Sequence, residues 1–362
     1  MRRISSLFLL GVGIAAFASV ALAQQSPSEG RYKVLKTAKV GGDGGFDYVY
    51  ADPVGRRLYI PRSGSMPRIT IFDLDTLQPA GEIPSPSAHG VAVDPKTNHG
   101  FATSKPLTMF DTKSIMPIRQ VNVQGGPDGI LFDPSTERIF DFSHNPPEAT
   151  AIDAKDGSLV GTIDLGGAPE QAVSDGNGHL YVDLEDKGSI AVVDAQTLMV
   201  TAHYDLAGKG GACSGLAIDA KNQILFAACR NPQMMVILSA ADGKIITSLP
   251  IGNGVDGAVF NPNTMEAFSS QGDGTLTVVK ENSPTDFTVE QTVQTMVSAK
   301  TLALDIKTNH ILLIGAAFAP PPAAPAAASP SSPSATSPPA GSGRPARGQM
   351  VPDSFSILVV GK

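Results

Sequence analysis

The sequence predicts an all-β protein folded as a seven-bladed β-propeller with four antiparallel strands in each blade. Three observations lead to this fold class. The composition is rich in turn formers, with 37 Gly and 29 Pro, and it contains no Trp. Short Val, Ile and Leu runs alternate with Asp, Asn and Gly, and no long segment has helical periodicity. A repeat of about 42 residues runs through the chain, which is the period expected of propeller blades.

The first element in chain order is a predicted leader, residues 1–23. It has two arginines, an apolar run from Leu7 to Val20, and a small residue at Ala23. This order is typical of a Sec signal peptide that is cleaved after Ala23. We therefore expect a periplasmic or secreted protein whose mature chain, residues 24–362, is a single propeller domain.

The charge of the chain limits its partners. It carries 27 basic and 34 acidic residues, a formal net charge of −7, and no basic cluster. Such a chain does not suit nucleic-acid phosphates, so no nucleic acid is expected. After the leader, no apolar run reaches the roughly 18 residues that a membrane span needs. We expect a monomer without a transmembrane segment, whose partner is a small polar molecule or an envelope protein.

Each repeat is anchored by an Asp or Asn at the end of its first strand. The anchors are spaced by 42, 39, 42, 44, 42 and 44 residues, and an apolar residue stands three positions before each. Further strand-like runs follow in most copies, so each anchor marks a four-stranded blade. The anchors are Asp52, Asp94, Asp133, Asp175, Asp219, Asn261 and Asp305.

The two ends of the mature chain should share the last blade. The last repeat ends in "SFSILVVGK", a third strand with no fourth strand after it. A strand-like segment, Arg31 to Gly42, precedes the first anchor instead. We predict that it completes the last blade and closes the ring, because closure removes exposed strand edges.

Residues 319–350 interrupt the last blade with a Pro-, Ala- and Ser-rich sequence that cannot form a core. We expect a disordered or extended loop between the second and third strands of that blade. A lid, a tether to envelope material and a neutral insertion are the alternatives, and the neutral insertion is the default interpretation.

Several stretches carry a family resemblance, among them "FDYVYADPVGRRLYI", "HGVAVDP" and "CSGLAIDAKNQILFAAC". With them, nearly all of the mature chain outside the Pro/Ala segment resembles the exported YVTN/YncE-like seven-bladed β-propellers. The resemblance implies an exported propeller. It leaves the ligand open, because propellers host many activities on one scaffold.

A polar ring is predicted five residues before the anchors, where six of the seven repeats have an ionisable residue. The innermost strands of a propeller begin at one mouth of the central channel, so these side chains should converge there. These side chains would suit a small polar ligand. They would also suit a divalent cation such as calcium, manganese or zinc, because proteins coordinate such ions with carboxylates and histidines. A solvated funnel, partly neutralised by a lysine, is the alternative. The ring consists of Asp47, His89, Asp128, Glu170, Ser214, Asp256 and Lys300. Its candidate metal ligands are Asp47, His89, Asp128, Glu170 and Asp256.

The loops after the second strands should form an outer ring on the same face. Arg62, His144 and Arg230 are the better binding candidates in these loops. Guanidinium groups clamp carboxylates and phosphates with defined geometry, which favours the two arginines.

The two cysteines, Cys213 and Cys229, lie six residues before and ten residues after Asp219. They should therefore face each other across a hairpin. In an exported protein we predict a disulfide, with two buried thiols as the alternative.

Two classes of function follow from the polar ring. The first, which we favour, is an exported scaffold that binds a small polar molecule or a protein partner at the channel mouth. The second is a metal-dependent hydrolase, lactonase or lyase that resembles gluconolactonase-type propellers, which hold a divalent ion at this place. The chain departs from that pattern because it has seven repeats and matches no full ligand set, and no residue is assigned a catalytic role.

Overall fold

The computed structural model describes residues 32–42, 44–320 and 348–362, which belong to one compact unit, Arg31–Lys362. The predicted leader and most of the Pro/Ala-rich segment lie outside these ranges. Within them, 28 strands form seven four-stranded antiparallel sheets, and there is no helix. The predicted all-β, seven-bladed propeller is therefore confirmed. Among the described residues, no helix has the length and apolar character that a membrane span requires.

Blades one to three each consist of four consecutive strands. Their bounds are β2 Tyr50–Asp52, β3 Arg57–Arg62, β4 Arg68–Asp73 and β5 Pro79–Pro84; β6 Val91–Asp94, β7 His99–Ala102, β8 Leu107–Asp111 and β9 Met116–Val121; and β10 Pro127–Asp133, β11 Arg138–Ser143, β12 Ala149–Asp153 and β13 Leu159–Ile163.

Blades four to six repeat this order. Their bounds are β14 Pro169–Ser174, β15 His179–Leu184, β16 Ser189–Asp194 and β17 Met199–Asp205; β18 Cys213–Asp219, β19 Ile224–Arg230, β20 Gln233–Ser239 and β21 Ile245–Pro250; and β22 Val255–Asn261, β23 Glu266–Gln271, β24 Thr275–Ser283 and β25 Asp286–Gln294.

The seventh blade joins the two ends of the described chain. Its strands are β26 Thr301–Asp305, β27 His310–Gly315, β28 Ser356–Gly361 and β1 Lys33–Lys39. Strand β1 pairs antiparallel with β28, with Lys33 opposite Gly361 and Lys39 opposite Ser356. The predicted ring closure is therefore confirmed. The Pro/Ala-rich segment falls between β27 and β28, where Phe318 and Met350 form a bridge.

The anchor residues recur because each one organises the turn after an innermost strand. Asp52 Oδ1, for example, accepts hydrogen bonds from the backbone N–H groups of Val54 and Gly55, both at 2.9 Å. Four residues after the anchor, six blades place a non-glycine residue in the left-handed region, with φ between 53° and 64°. Blade four uses Gly178 instead, three residues after its anchor, which shortens that hairpin by one residue. The six left-handed residues are Arg56, Asn98, Glu137, Gln223, Met265 and Asn309.

The core lies between the blades. Buried apolar side chains form seven clusters in the described residues, and each cluster is drawn from two neighbouring blades. Between blades five and six, for instance, Phe226 stacks on Phe260 with ring centroids 5.3 Å apart. Each blade therefore buries both faces only when its two neighbours are in place.

Both terminal segments are also fixed to blade six. Glu266, which is fully buried there, accepts hydrogen bonds from the Tyr32 hydroxyl and from Lys362 Nζ, the latter at 2.9 Å. The Gln291 side chain donates to the Tyr32 carbonyl at 2.7 Å and accepts from the Tyr32 N–H at 3.0 Å. We call Tyr32, Glu266, Gln291 and Lys362 the terminal clasp.

Candidate functional site

At the channel mouth, several ring residues lie outside the regular pairing between the first and second strands of their blades. In blades three to six the pairing between the first two strands is irregular at this level, for example between Pro127 and Ile130 and between Pro169 and Ala172. Asp128 and Glu170 lie inside these interruptions. Such bulges re-aim side chains, and here they free the ring residues from regular sheet pairing.

Glycines at the next level allow the innermost strands to approach one another closely. A Cβ added to Gly215 would lie 2.8 Å from the backbone of Gly257, and one added to Gly129 would lie 2.9 Å from the Glu170 carbonyl oxygen. No side chain larger than hydrogen fits at these two positions without a backbone shift.

Two side chains cross the channel at this level and form a floor beneath the ring. The hydroxyl of Tyr48, from blade one, donates to Glu170 Oε2 of blade four at 2.8 Å. Gln171 reaches blades five and six, where its Oε1 accepts from the N–H groups of Leu216 and Ala258 and its Nε2 donates to the Ala258 carbonyl, all at 3.0 Å. The ring is thus a shallow polar basin above this floor.

One side of the basin is internally neutralised. Arg230 donates to Glu185 Oε1 at 2.8 Å and also to Asp256. Lys300 donates to the second oxygen of Asp256, and its Nζ lies 3.8 Å from Asp47 Oδ1. We call Glu185, Arg230, Asp256 and Lys300 the salt-bridged half of the basin.

The other side combines carboxylates with histidines, and we call Asp47, His89, Asp128, His144 and Glu170 the histidine half. His89 Nδ1 lies 2.9 Å from Asp47 Oδ2 and 3.3 Å from Asp128 Oδ1. One ring N–H can serve only one of these oxygens well, and Asp128 Oδ1 is buried without a hydrogen bond from the described residues. His144 Nε2 lies 3.8 Å from Asp128 Oδ2. This half therefore combines three carboxylates with two titratable histidines, and Lys300 of the salt-bridged half also lies near Asp47.

Three groups of the histidine half have pKa values above their usual range. Burial, reinforced by the nearby Glu185 and Asp128 carboxylates, raises the pKa of Glu170 to about 7, against the opposing hydrogen bond from Tyr48. Burial also raises the pKa of Asp128. The hydrogen bond to Asp47 raises the pKa of His89. Groups with raised pKa values are thus concentrated on this side of the basin.

The histidine half contains two groups of three potential ligands that share Asp128. In each group, one donor atom per residue lies within 4.8 Å of the others. Carboxylate oxygens with imidazole nitrogens suit manganese, iron or zinc, so this donor set could hold a divalent cation. The first group is Asp47, His89 and Asp128, and the second is Asp128, His144 and Glu170.

Two carboxyls near the basin are absent from the sequence prediction. Asp141 and Asp183, in β11 and β15, are almost completely buried. Asp141 Oδ1 and both Asp183 carboxylate oxygens have no hydrogen-bond partner among the described residues. Burial, with the charge of Asp128, raises the pKa of Asp141 to about 8. Burial, with the charge of Glu170, raises the pKa of Asp183 well above its usual range. An aspartate inside the apolar runs "RIFDFS" and "HLYVDL" was the available sequence signal.

Two predicted site residues point into the protein instead. Arg62 is fully buried, with its guanidinium carbon 3.7 Å from the centre of the Phe355 ring. Ser214 occupies the ring level but is buried, and its hydroxyl donates to the Val255 carbonyl at 2.8 Å. Arg62 therefore packs in the core, and Ser214 joins blades five and six.

A disulfide fixes the strands that carry part of the salt-bridged half. Cys213 and Cys229 are bonded and stand opposite each other in β18 and β19. The predicted disulfide is thus confirmed. Since Arg230 follows Cys229 directly, the bond anchors the backbone from which Arg230 reaches Glu185 and Asp256.

The comparisons with known proteins identify the fold. No family model and no curated protein matches the chain. Among solved structures, 1604 chains match, so the architecture is widely used. One of them, from a crystal structure of the mitotic checkpoint complex, has 11% sequence identity, covers 84% of this chain and 96% of its own, and has a TM-score of 0.68. A likeness at this identity shows the propeller fold alone, so function has to be argued from the site.

Proposed function

We propose that this propeller is a binding scaffold whose channel mouth takes a small polar ligand of positive charge. The supporting observation is the asymmetry of the basin. Lys300 and Arg230 form ion pairs with Asp256 on one side. On the other side, Asp128 lies 3.3 Å from His89 and 3.8 Å from His144, and Glu170 accepts a hydrogen bond from Tyr48. Burial and the nearby Glu185 and Asp128 carboxylates raise the pKa of Glu170, and a cation that enters the histidine half would favour the charged form of Glu170 again.

Calorimetric titration tests this function. The probes are calcium, manganese and zinc, followed by methylammonium and guanidinium as small organic cations. Binding should weaken by at least about tenfold in Asp128→Asn and Glu170→Gln, because each change removes one carboxylate charge from the histidine half. Asp286→Asn, on the exposed strand β25, is the matched control and should bind as wild type does. Absence of binding by the wild type, or equal binding by all variants, would reject the proposal.

A metal-dependent hydrolase or lyase is the second candidate, and one observation favours it. Glu170, with a pKa of about 7, lies in a group with Asp128 and His144 that could hold a divalent cation. If Asp128 and His144 held the ion, the ion would lower the pKa of Glu170 beside it, and the ionised Glu170 carboxylate could serve as a general base toward water. Hydrolysis of a lactone panel with added calcium, manganese or zinc tests this candidate. Glu170→Gln should then lose turnover while it retains part of its affinity for the metal.

We further propose that the chain is an exported, monomeric member of the YVTN/YncE-like propellers. The predicted leader and the disulfide support export, since disulfides persist in oxidising compartments. Amino-terminal sequencing of protein recovered from the cell envelope should find a new terminus after Ala23. Light scattering should give the mass of one chain, and an intact leader or a dimer would contradict this assignment.

A further inference from the structure

Below the floor of the basin, the innermost strands enclose a second space with different chemistry. It is a cavity of about 420 Å³ in the central channel, within the size range of small-molecule sites. Most of its wall is apolar. Ile130, Leu131, Val173, Val259 and Leu304 line it and remain partly exposed, although neighbouring core residues are fully buried.

This partly exposed wall favours an apolar occupant. Water in such a space finds few hydrogen-bond partners, so replacing it with hydrocarbon is favourable. The wall residues come from all seven blades, which are held together by the interblade cores. The space is therefore preformed and does not depend on a movable loop.

One end of the cavity is polar. Tyr48, Glu170 and Asp256 line the cavity where it meets the floor. Asp256 is paired with Arg230 and Lys300, whereas Glu170 accepts a hydrogen bond from the Tyr48 hydroxyl, so Glu170 is the carboxylate that a cationic head would meet. An occupant with one polar group would place it at this end, where a cation is favoured over an anion.

We propose that the channel cavity binds the hydrocarbon chain of a cationic amphiphile, with its positively charged head against Glu170. This site lies below the basin and shares only Glu170 and Asp256 with the proposed polar-ligand site. It assigns a ligand class, an alkylammonium-type molecule, to a part of the fold that the proposed function does not use.

A homologous series of n-alkylammonium ions, butyl to decyl and below their micelle concentrations, tests the proposal by calorimetry. Affinity should rise about fourfold per methylene until the cavity is full. Sodium alkanoates of equal length should bind at least about tenfold more weakly, because their heads are repelled by the carboxylates. Glu170→Gln should reduce this preference and leave the chain-length dependence in place.

Filling the cavity provides the decisive variant. Ala172→Phe should abolish the chain-length dependence, because Ala172 lines the space and is partly exposed to it. Val259→Phe on blade six is a second filling variant in case the first one folds poorly, and thermal melting reports folding for both. Ala80→Phe, on the exposed outer strand β5, is the matched control and should retain the wild-type series.

The outcomes separate this inference from the proposed function. Binding that does not depend on chain length, an unchanged series in both filling variants, or equal affinity for alkanoates would each overturn it. A wild type that shows the series but binds no metal or methylammonium would refute the polar-ligand proposal and support the amphiphile site.

Discussion

At the scale of single residues, the buried carboxyls behind the basin set the pH dependence of stability. Asp141 lies opposite Ile130 and Thr150 in the neighbouring strands, and its Oδ1 has no hydrogen-bond partner among the described residues. Its pKa is about 8 in the fold, against an ordinary value of 3.8. Because the folded state holds this proton more tightly, its contribution to stability is fully present below about pH 4 and is lost as the pH rises toward 8.

Asp141→Asn should therefore flatten the pH profile of the free energy of unfolding. Between about pH 4 and about pH 8 the wild type should lose roughly 1 to 4 kcal/mol that the variant keeps. Denaturant unfolding at pH 5, 6.5 and 8 measures the difference. Asp164→Asn, at an exposed position, is the control and should follow the wild type. Parallel profiles for Asp141→Asn and the wild type would show that Asp141 is ionised or solvated in the fold.

At the scale of elements, the hairpin after each innermost strand carries local strain. Four of the six left-handed residues have side chains that do not favour this region of backbone space, whereas blades two and seven have Asn there. Asn adopts this conformation more easily than Glu does.

Glu137→Asn should stabilise the fold by about 0.5 to 1 kcal/mol through the relief of this strain. The change also removes the exposed ion pair with Lys96, which contributes little. Glu137→Ala loses the same ion pair without relieving the strain and is the matched control. A melting temperature for Glu137→Asn no higher than that of Glu137→Ala would contradict the expectation.

The hairpin of β18 and β19 carries the disulfide, which has two expected effects. Replacing both Cys213 and Cys229 with Ala should lower the free energy of unfolding by about 3 kcal/mol, since the bond closes a loop across 16 residues. The replacement should also make the Arg230 side chain more mobile and reduce the selectivity of the basin among cations. Denaturant unfolding with and without reductant measures the first effect. Free thiols in the denatured, non-reduced wild type would contradict the bond itself.

At the scale of the whole molecule, the terminal clasp holds the ring closed. Burial alone would raise the pKa of Glu266, but hydrogen bonds from surrounding side chains, Tyr32 and Lys362 among them, lower it to about 2. A lowered pKa means that the clasp stabilises the fold above about pH 4.5 and that this contribution is lost as the pH falls toward 2.

Glu266→Gln should therefore lower the melting temperature at pH 7 by several degrees and have less effect near pH 3. The cost is about 1 to 3 kcal/mol, the range expected when a buried charged hydrogen-bond acceptor is lost. Asp286→Asn, at an exposed position of blade six, is the comparison variant outside the clasp. A change in melting temperature that is equal at both pH values would show that packing, and not the charge of Glu266, fixes the ends.

The fold could be predicted from the sequence because the repeat reflects a backbone turn that recurs after the first strand of each blade. Each anchor organises the turn that follows it, so six regular spacings between seven anchors led to seven blades and to Asp47, His89 and Asp128 at one level. Arg62 could not be placed in the same way, because its direction depends on Phe355 from the distant end of the chain. Asp141 and Asp183 were missed because a period-two pattern marks a position as buried and does not reveal an unpartnered carboxyl there.

The pairing of β1 with β28 also fixes an order of events in time. The first strand of the propeller to be synthesised is the last to find its partner, since Ser356–Gly361 is completed only at the end of the chain. Until then the ring of blades is open, and the apolar faces of its terminal blades are exposed to other chains. A nascent chain halted before Ser356 would hold six complete blades and would still expose apolar surface that favours aggregation. Closure of the ring is thus expected to be a late step, in which β1 pairs with β28 and joins the two ends of the propeller.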